Sequence, residues 1–304
     1  MKTLVTGGAG FVGSHITDKL IETGHEVVVL DNLSTGKKEN INKEAKFYLA
    51  DICQSDIGEI FSKEKPDAVL HLAAQIDVRK SIEDPGNDAK INILGALNIL
   101  ENCKKNKVKN FIFASSVGVY GDQKELPVTE KHFARPISPY PLAKLTVENY
   151  LNYYQAQGVR ATALRYANIY GPRQESNGEG GVVAIFINTV LNNQTPVIFG
   201  DGNQTRDFLY VEDAAEAALK ALERNDNLVC NIGTNEIITI NQLLALINQE
   251  LKKGVQPEFQ QERFGEIMHS RVDWSLAKEK LGWQPQHSFS QGLGKTISWF
   301  LNKR

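Results

Sequence analysis

A short β-type run, Lys2 to Thr6, passes directly into Gly7-Gly8-Ala9-Gly10-Phe11-Val12-Gly13, and an amphipathic stretch follows. A glycine turn between a strand and a helix lets the backbone come close to a ligand. The helix start behind it offers unpaired N–H groups and the positive end of the helix dipole. That combination suits a pyrophosphate. Glycine triplets also occur in plain tight turns, so the flanking pattern has to carry the assignment. The next apolar run, Glu26-Val27-Val28-Val29-Leu30, ends at Asp31, about the separation a dinucleotide-binding βαβ unit requires. A carboxylate there accepts hydrogen bonds from a ribose 2′-hydroxyl and repels a 2′-phosphate, which favours NAD over NADP. Lys37 and Lys38 lie further along a polar loop and read as solvated.

The alternation continues beyond this unit. Strands are expected near 46–50, 67–72, 109–114 and 160–166, and helices at 12–23, 88–106 and 141–157, with Gly24 and Gly158 closing the first and last. Nearly continuous apolar strands separated by helices predict a parallel sheet covered on both faces, an α/β doubly wound Rossmann fold. After residue 170 the rhythm breaks at Gly171-Pro172, Gly178, Gly180-Gly181 and Gly200-Asp201-Gly202, and helices resume near 211–223, 239–252 and 275–281. A chain of 304 residues fits one large domain with a smaller C-terminal lobe. The expected division gives residues 1–166, with a returning segment at about 203–228, to the NAD-binding domain, and 167–202 with 229–304 to a substrate-binding lobe.

A formal net charge of −2 offers no basic surface for nucleic acid. The apolar runs are too short to span a bilayer, and the N-terminal strand does not read as a signal peptide. Neither a nucleic-acid nor a membrane partner is expected. Cys53, Cys103 and Cys230 lie at no metal-like spacing and read as reduced thiols of a cytoplasmic protein, with no metal site.

Tyr140 and Lys144 are one helical turn apart and so face one side. Tyr120 and Lys124 share the spacing, but Gly121 and Pro127 put them in a loop. Pro139 and Pro141 instead mark a helix start at Tyr140. Holding a phenol of ordinary pKa ~10 as phenolate at neutral pH costs about 4 kcal/mol. A neighbouring ammonium and a positive nicotinamide ring reduce that cost. Upstream, Phe111-Ile112-Phe113-Ala114-Ser115-Ser116 reads as a buried strand ending in hydroxyls, which brings Ser116 to the reacting oxygen; the plainer reading of Ser116 is a cap after the strand.

Several motifs resemble one family over nearly the whole chain. They are Thr6 to His15 with its Gly-x-x-Gly-x-x-Gly spacing, Asp31-Asn32-Leu33-Ser34, Ser138-Pro139-Tyr140, Arg165 to Arg173, Gly200 to Phe208, and Leu281-Gly282-Trp283-Gln284-Pro285. Together they resemble the UDP-glucose 4-epimerases, extended short-chain dehydrogenases. The resemblance implies a catalytic triad of Ser116, Tyr140 and Lys144. It implies that NAD is held by Gly7, Gly10, Phe11, Val12, Gly13, Asp31, Asn32, Leu33, Ser34, Thr35 and Gly36. Asp51 and Ile52 would face the adenine, Leu72, Ala73, Ala74 and Gln75 would pass the ribose, and Asn92, Ser115, Tyr140, Lys144 and Tyr166 would complete the site. For the UDP-sugar it implies Arg206 and Arg263 as cationic forks, Asn168 at the phosphates, Val197 and Phe199 about the uracil, and Glu266 at the uridine ribose. Ser116, Tyr140 and Val182 would also touch the substrate, and Ser270 would gate the sugar pocket.

The same family includes 4,6-dehydratases and decarboxylases, which carry acidic residues just after the serine or threonine. Val117 and Gly118 stand at those positions and exchange no proton. The resemblance therefore implies C4 epimerisation of UDP-glucose and UDP-galactose through a transient 4-keto sugar. The small Ser270 extends the expectation to UDP-N-acetylglucosamine and UDP-N-acetylgalactosamine. Three alternatives stay open. A uronate epimerase needs a cation for the sugar carboxylate, and the sequence identifies none. A 4-reductase would prefer tolerance of a 2′-phosphate, against Asp31. A cofactor-sensing protein without activity would be expected to lack the intact Tyr/Lys pair. Family members form homodimers through two helices, here 88–106 and 141–157, whose Ile91, Leu94, Leu97 and Leu100 suit a core as well as an interface.

Overall fold

The glycine turn sits between β1 (Lys2–Thr6) and α1 (Phe11–Glu22), and β2 (Glu26–Asp31) returns in parallel register, Lys2 to Thr6 beside Glu26 to Leu30. The computed structural model describes residues 1–176, 181–224, 226–262 and 267–303. β3 (Lys46–Leu49), α2 (Ile57–Glu64) and β4 (Ala68–His71) follow. Then come α3 (Val78–Glu83), α4 (Pro85–Ala89), a π-type turn at Lys90–Leu94, α5 (Gly95–Lys105), β5 (Asn110–Ser116), α6 (Pro139–Ala156) and β6 (Arg160–Tyr166). The helix expected at 88–106 is therefore not regular throughout. Its wide turn coincides with Asn92, whose amide exchanges two hydrogen bonds of 2.9 Å with the backbone of Gln75, and such turns gather at functional sites.

The chain continues through β7 (Asn168–Tyr170), α7 (Val182–Leu191), β8 (Val197–Phe199), β9 (Thr205–Arg206), β10 (Phe208–Tyr210), α8 (Val211–Arg224) and β11 (Leu228–Ile232). It ends with β12 (Ile238–Thr239), α9 (Ile240–Leu251), β13 (Glu258–Gln260), α10 (Ser275–Leu281) and α11 (Phe289–Asn302).

Seven strands make one parallel sheet in the order β11-β6-β5-β4-β1-β2-β3. Leu4, Val28, Leu30 and Val69 point to a core shared with α2, α5 and α6; Val5, Val27, Val29 and Leu70 point to one shared with α1, α8 and α10. Both faces of the inner strands are dry, which is why these strands lack an alternating pattern, whereas the edge strand β3 is part-exposed, with Leu49 open to solvent. The fold is the doubly wound one expected. The sheet, however, takes in residues 229–232, which the expected division gives to the second lobe: Val229 to Ile232 pair with Ala163 to Tyr166. Val272, Ala277, Leu281 and Trp283 pack in the same core. Burial of Cys230 and Ile232 beside β6 outweighs their distance along the chain.

A third core joins α7, α9 and α11 around Tyr170, Phe208 and Tyr210. α7 and α11 are absent from the sequence expectation. α7 is apolar on nearly all sides and so has no periodic signature. α11 starts at a reciprocal capping pair, Ser288 with Gln291. Among the described residues no helix is long and apolar enough to cross a membrane.

Candidate active site

The strand order reverses between β4 and β1, and ligands of such sheets bind outside the carboxyl ends of the strands at that point. A cleft of about 650 Å³ opens there, lined by the glycine turn, the ends of β2, β4 and β5, and the start of α6. That volume falls in the range of small-molecule sites.

The floor is backbone. A Cβ on Gly13 would stand 2.1 Å from the carbonyl oxygen of Gly7, and one on Gly7, whose φ is +71°, would stand 2.7 Å from the amide nitrogen of Ala73. The turn is thus pressed against α1 on one side and the end of β4 on the other, and only glycine fits. α1 begins at Gly10 with no side-chain cap, so its first-turn N–H groups face the cleft end without a side-chain acceptor. This bare cradle fits the diphosphate of NAD.

Asp31, buried at the end of β2, accepts from Ala9 N at 3.0 Å through Oδ2 and from Leu33 N at 2.8 Å through Oδ1. It therefore also braces the glycine turn. A carboxylate has about four lone-pair sites, so acceptor capacity is left for a ribose hydroxyl. Asp51, after β3, accepts from Cys53 N at 2.8 Å and from Asn32 Nδ2 at 3.1 Å, and the Cys53 amide holds its carboxyl below the usual range.

At the other end, Ser116, Tyr140 and Lys144 line the same cleft. Ser116 Oγ accepts from Gly118 N at 3.0 Å and so caps the short turn Val117–Tyr120. The plain reading of Ser116 holds, yet its O–H remains able to donate into the cleft. Lys144 Nζ donates to Ala114 O at 2.8 Å, 4.8 Å from the centre of the Phe113 ring and 5.7 Å from that of Tyr140. Burial lowers the Lys144 ammonium to about 8, against Asp88 and Glu148, which raise it. Burial pushes the Tyr140 phenol up, and Asp88 adds to the shift. The expected relief of the phenol by Lys144 is thus outweighed among the chain's own groups. Tyr120, which shares the Tyr-x-x-x-Lys spacing, is a core residue: its hydroxyl donates to Asn231 Oδ1 at 2.7 Å and accepts from Arg165 Nη1 at 2.8 Å.

Of the residues expected at the cofactor, all line the cleft except Leu33 and Asn92. Leu33 has a positive φ of 57° and gives its N–H to Asp31, and Asn92 stands behind Gln75. Of those expected at the substrate, Asn168 lines it with Ser116 and Tyr140. Val182, Val197, Phe199, Arg206 and Ser270 are not on its wall. Val182 opens α7, Val197 and Phe199 are on β8, Arg206 is on β9, and Ser270 N donates to Thr205 O at 3.2 Å. Arg263 and Glu266 lie outside the described residues. Lys80, Asn87 and Gln174 line the cleft without any sequence signal beyond their polarity. In the helix pair expected at an interface, Leu100 is core and Ile91 lines the cleft, whereas Leu94 is exposed.

The profile of the NAD dependent epimerase/dehydratase family matches residues 3–233. A putative UDP-glucose 4-epimerase of Methanocaldococcus jannaschii is 46% identical over 98% of each chain. Among solved structures, the UDP-glucose 4-epimerase of Thermotoga maritima, with UDP-glucose, has a TM-score of 0.98 at 46% identity, covering 100% of this chain and 99% of that one. The UDP-N-acetylglucosamine 4-epimerase of Methanobrevibacter ruminantium M1, in complex with UDP-N-acetylmuramic acid, has a TM-score of 0.94 at 37% identity, covering 100% and 99%.

Proposed function

The chain belongs to the NAD dependent epimerase/dehydratase family, and on that premise we propose that it inverts C4 of a UDP-hexose, interconverting UDP-glucose with UDP-galactose and their N-acetylated counterparts. The observation that carries this reading is where the acids are. Among the described residues, the carboxylates lining the cleft are Asp31 and Asp51, both at the β2–β3 end, while Ser116, Tyr140 and Lys144 hold the other end. Eliminating water or losing a carboxyl group calls for an acid or base beside the sugar, and Val117 and Gly118 supply none there.

NAD, when bound, would supply the reversible two-electron oxidation at C4, and its positive ring would favour the phenolate of Tyr140. Tyr140 takes the proton of the 4-hydroxyl and gives it back. Ser116 donates to the same oxygen and fixes its position. Lys144, tied to Ala114 O, adds positive charge beside the phenol. Asn168, on the cleft wall, meets the diphosphate, and the resemblance adds Arg206 and Arg263 as the cations that hold it while the sugar turns over.

Purified protein carrying tightly bound NAD, and UDP-glucose/UDP-galactose interconversion followed by NMR, tests the reading; no turnover of plain or N-acetylated sugars would sink it. One observation favours a second substrate class. Lys80 on α3 lines the cleft and offers a cation to a sugar carboxylate, so UDP-glucuronate belongs in the same assay.

We also propose a homodimer through the stretches 88–106 and 141–157, that is the π-type turn with α5, and α6. Leu94, Leu142, Tyr150 and Tyr153 are 59%, 52%, 40% and 54% exposed there, an apolar face that a second copy would cover. A monomer by sedimentation at micromolar concentration would refute it.

A further inference from the structure

Asp88 on α4 is 1% exposed. Its Oδ1 accepts from Gln75 Nε2 and from Asn92 Nδ2, each at 2.9 Å. Asn92 exchanges two further bonds with the Gln75 backbone, and Gln75 lines the cleft. One carboxylate oxygen is thus the hub of a closed ring of amides in the cleft wall, built on the π-type turn. The neighbouring helix is fastened to the same place: Ser81 Oγ on α3 accepts from Tyr140 N at 3.2 Å. α4 packs on α6, which carries Tyr140 and Lys144.

A buried carboxylate served only by neutral amides is costly, and so is a buried ammonium served only by a carbonyl. Lys144 is 4% exposed, and its named partner is Ala114 O. The two opposite charges lie on packed helices; burial raises the Asp88 carboxyl and lowers the Lys144 ammonium, and each charge opposes that effect on the other. The other ionisable groups around the pair have their own partners. Glu148, one turn further along α6, is bound by Arg165 and Ser115. His71 on β4 bonds Thr6 Oγ1 at 2.7 Å. On α3, the Asp77 carboxylate accepts from Arg79 N and Lys80 N, and the Lys80 side chain lines the cleft.

We propose that Asp88 is the counter-charge of the catalytic pair, a positioning residue that keeps Lys144 an ammonium and, through Gln75 and Asn92, holds the cleft wall in register with Tyr140. This rests on the roles given to Tyr140 and Lys144 above. A negative charge at Asp88 favours the Lys144 cation and opposes a second negative charge on Tyr140. Removing it makes both groups lose their protons at lower pH.

Asp88→Asn keeps the shape and an acceptor oxygen while removing the charge. Phenolate absorbance of the holoenzyme, taken as the difference from the same protein carrying Tyr140→Phe, reads Tyr140 directly. The proposal expects this titration, and both limbs of the kcat–pH profile, to move about one unit towards acid in Asp88→Asn. Lower activity with the titration and both limbs unmoved would make Asp88 a structural hub and overturn the proposal. Asp88→Ser repeats the test if Asn does not fold, and loss of the fold in both also counts against it. Full activity in Tyr140→Phe alone would instead overturn the role of Tyr140, and the phenolate titration would still report the charge.

Discussion

Lys144 on α6 donates its ammonium proton to the carbonyl oxygen of Ala114 on β5, at 2.8 Å. The bond ties the helix that carries Tyr140 to the strand that ends at Ser116, so one side chain sets the spacing of all three groups at the reactive end. Lys144→Met removes both the tie and the charge. It is expected to lower kcat for UDP-sugar interconversion by about 10²–10⁴. Tyr140→Phe should cost a similar factor while bound NAD, measured in the denatured extract, stays at the wild-type level. Loss of NAD in Tyr140→Phe would show that the phenol holds the cofactor rather than the proton.

Two glycines at opposite ends of α1 give a contrast. At Gly13 a methyl group would meet the Gly7 carbonyl at 2.1 Å, whereas at Gly24, where φ is +82°, nothing lies within 4 Å. Gly13→Ala should force the turn away from α1, destabilise by about 1–3 kcal/mol and yield protein without NAD. Gly24→Ala should lose only about 1–2 kcal/mol for its left-handed backbone and keep NAD. Equal NAD content in the two variants would argue against the cradle.

The sheet and the cofactor end were legible because both are local. Strand, glycine turn, helix and Asp31 fall within the first 31 residues, and apolar runs dry on both faces leave an unmistakable composition. The decoy pair Tyr120/Lys124 yields to the fold, since Tyr120 is buried beside Arg165 and Asn231. The substrate side was not legible in this way. β8 pairs with β13, β9 with β12, and Thr205 with His269. Residues that meet there are 32 to 64 positions apart, and no spacing rule encodes the meeting. Asp88 was hidden for another reason: a carboxylate near a helix start reads as solvated until the packing of α4 on α6 buries it.

Behind the site, Ser115, Arg165 and Asn231 stand side by side in register on β5, β6 and β11. Glu148 from α6 closes over them, accepting from Arg165 Nε at 3.0 Å and also from Ser115 Oγ. This ion pair is buried on both sides. Glu148→Gln leaves the guanidinium uncompensated and should cost about 3–5 kcal/mol in urea unfolding. Glu148→Gln with Arg165→Met should recover part of that loss; a double variant as unstable as the two single losses combined would contradict the coupling.

His71 carries a pH dependence of known sign. Thr6 Oγ1 accepts from Leu72 N at 3.2 Å and Ala73 N at 3.3 Å, so its own proton goes to His71 Nδ1 at 2.7 Å, and the ring is neutral. Burial, with Lys144 adding to it, lowers the imidazole from 6.5 to about 3. Between those values the unfolded chain binds a proton that the folded one refuses, so the stability His71 contributes is present above 6.5 and lost as pH falls towards 3. From pH 7 to pH 5 the wild type should lose about 2 kcal/mol more than His71→Gln in urea unfolding. Parallel losses in the two proteins would show that His71 takes its proton in the folded state.

Ser270 makes the finest distinction, that between plain and N-acetylated sugars. It follows His269, whose backbone bridges to Thr205, and its own N–H donates to Thr205 O at 3.2 Å, one residue from Arg206. The backbone at 270 is therefore pinned to β9, and a larger side chain there cannot be relieved by moving the strand. If this position gates the sugar pocket, Ser270→Tyr narrows it from one side without touching Tyr140 or Lys144. UDP-N-acetylglucosamine turnover should then fall by at least about 10-fold, the scale on which a pocket discriminates by a small group, while UDP-glucose turnover stays within about 3-fold. Loss of both together would place the new ring against the diphosphate grip. Retention of both would show that Ser270 faces away from the sugar, and the tolerance of N-acetyl groups would then have to come from another wall of the cleft.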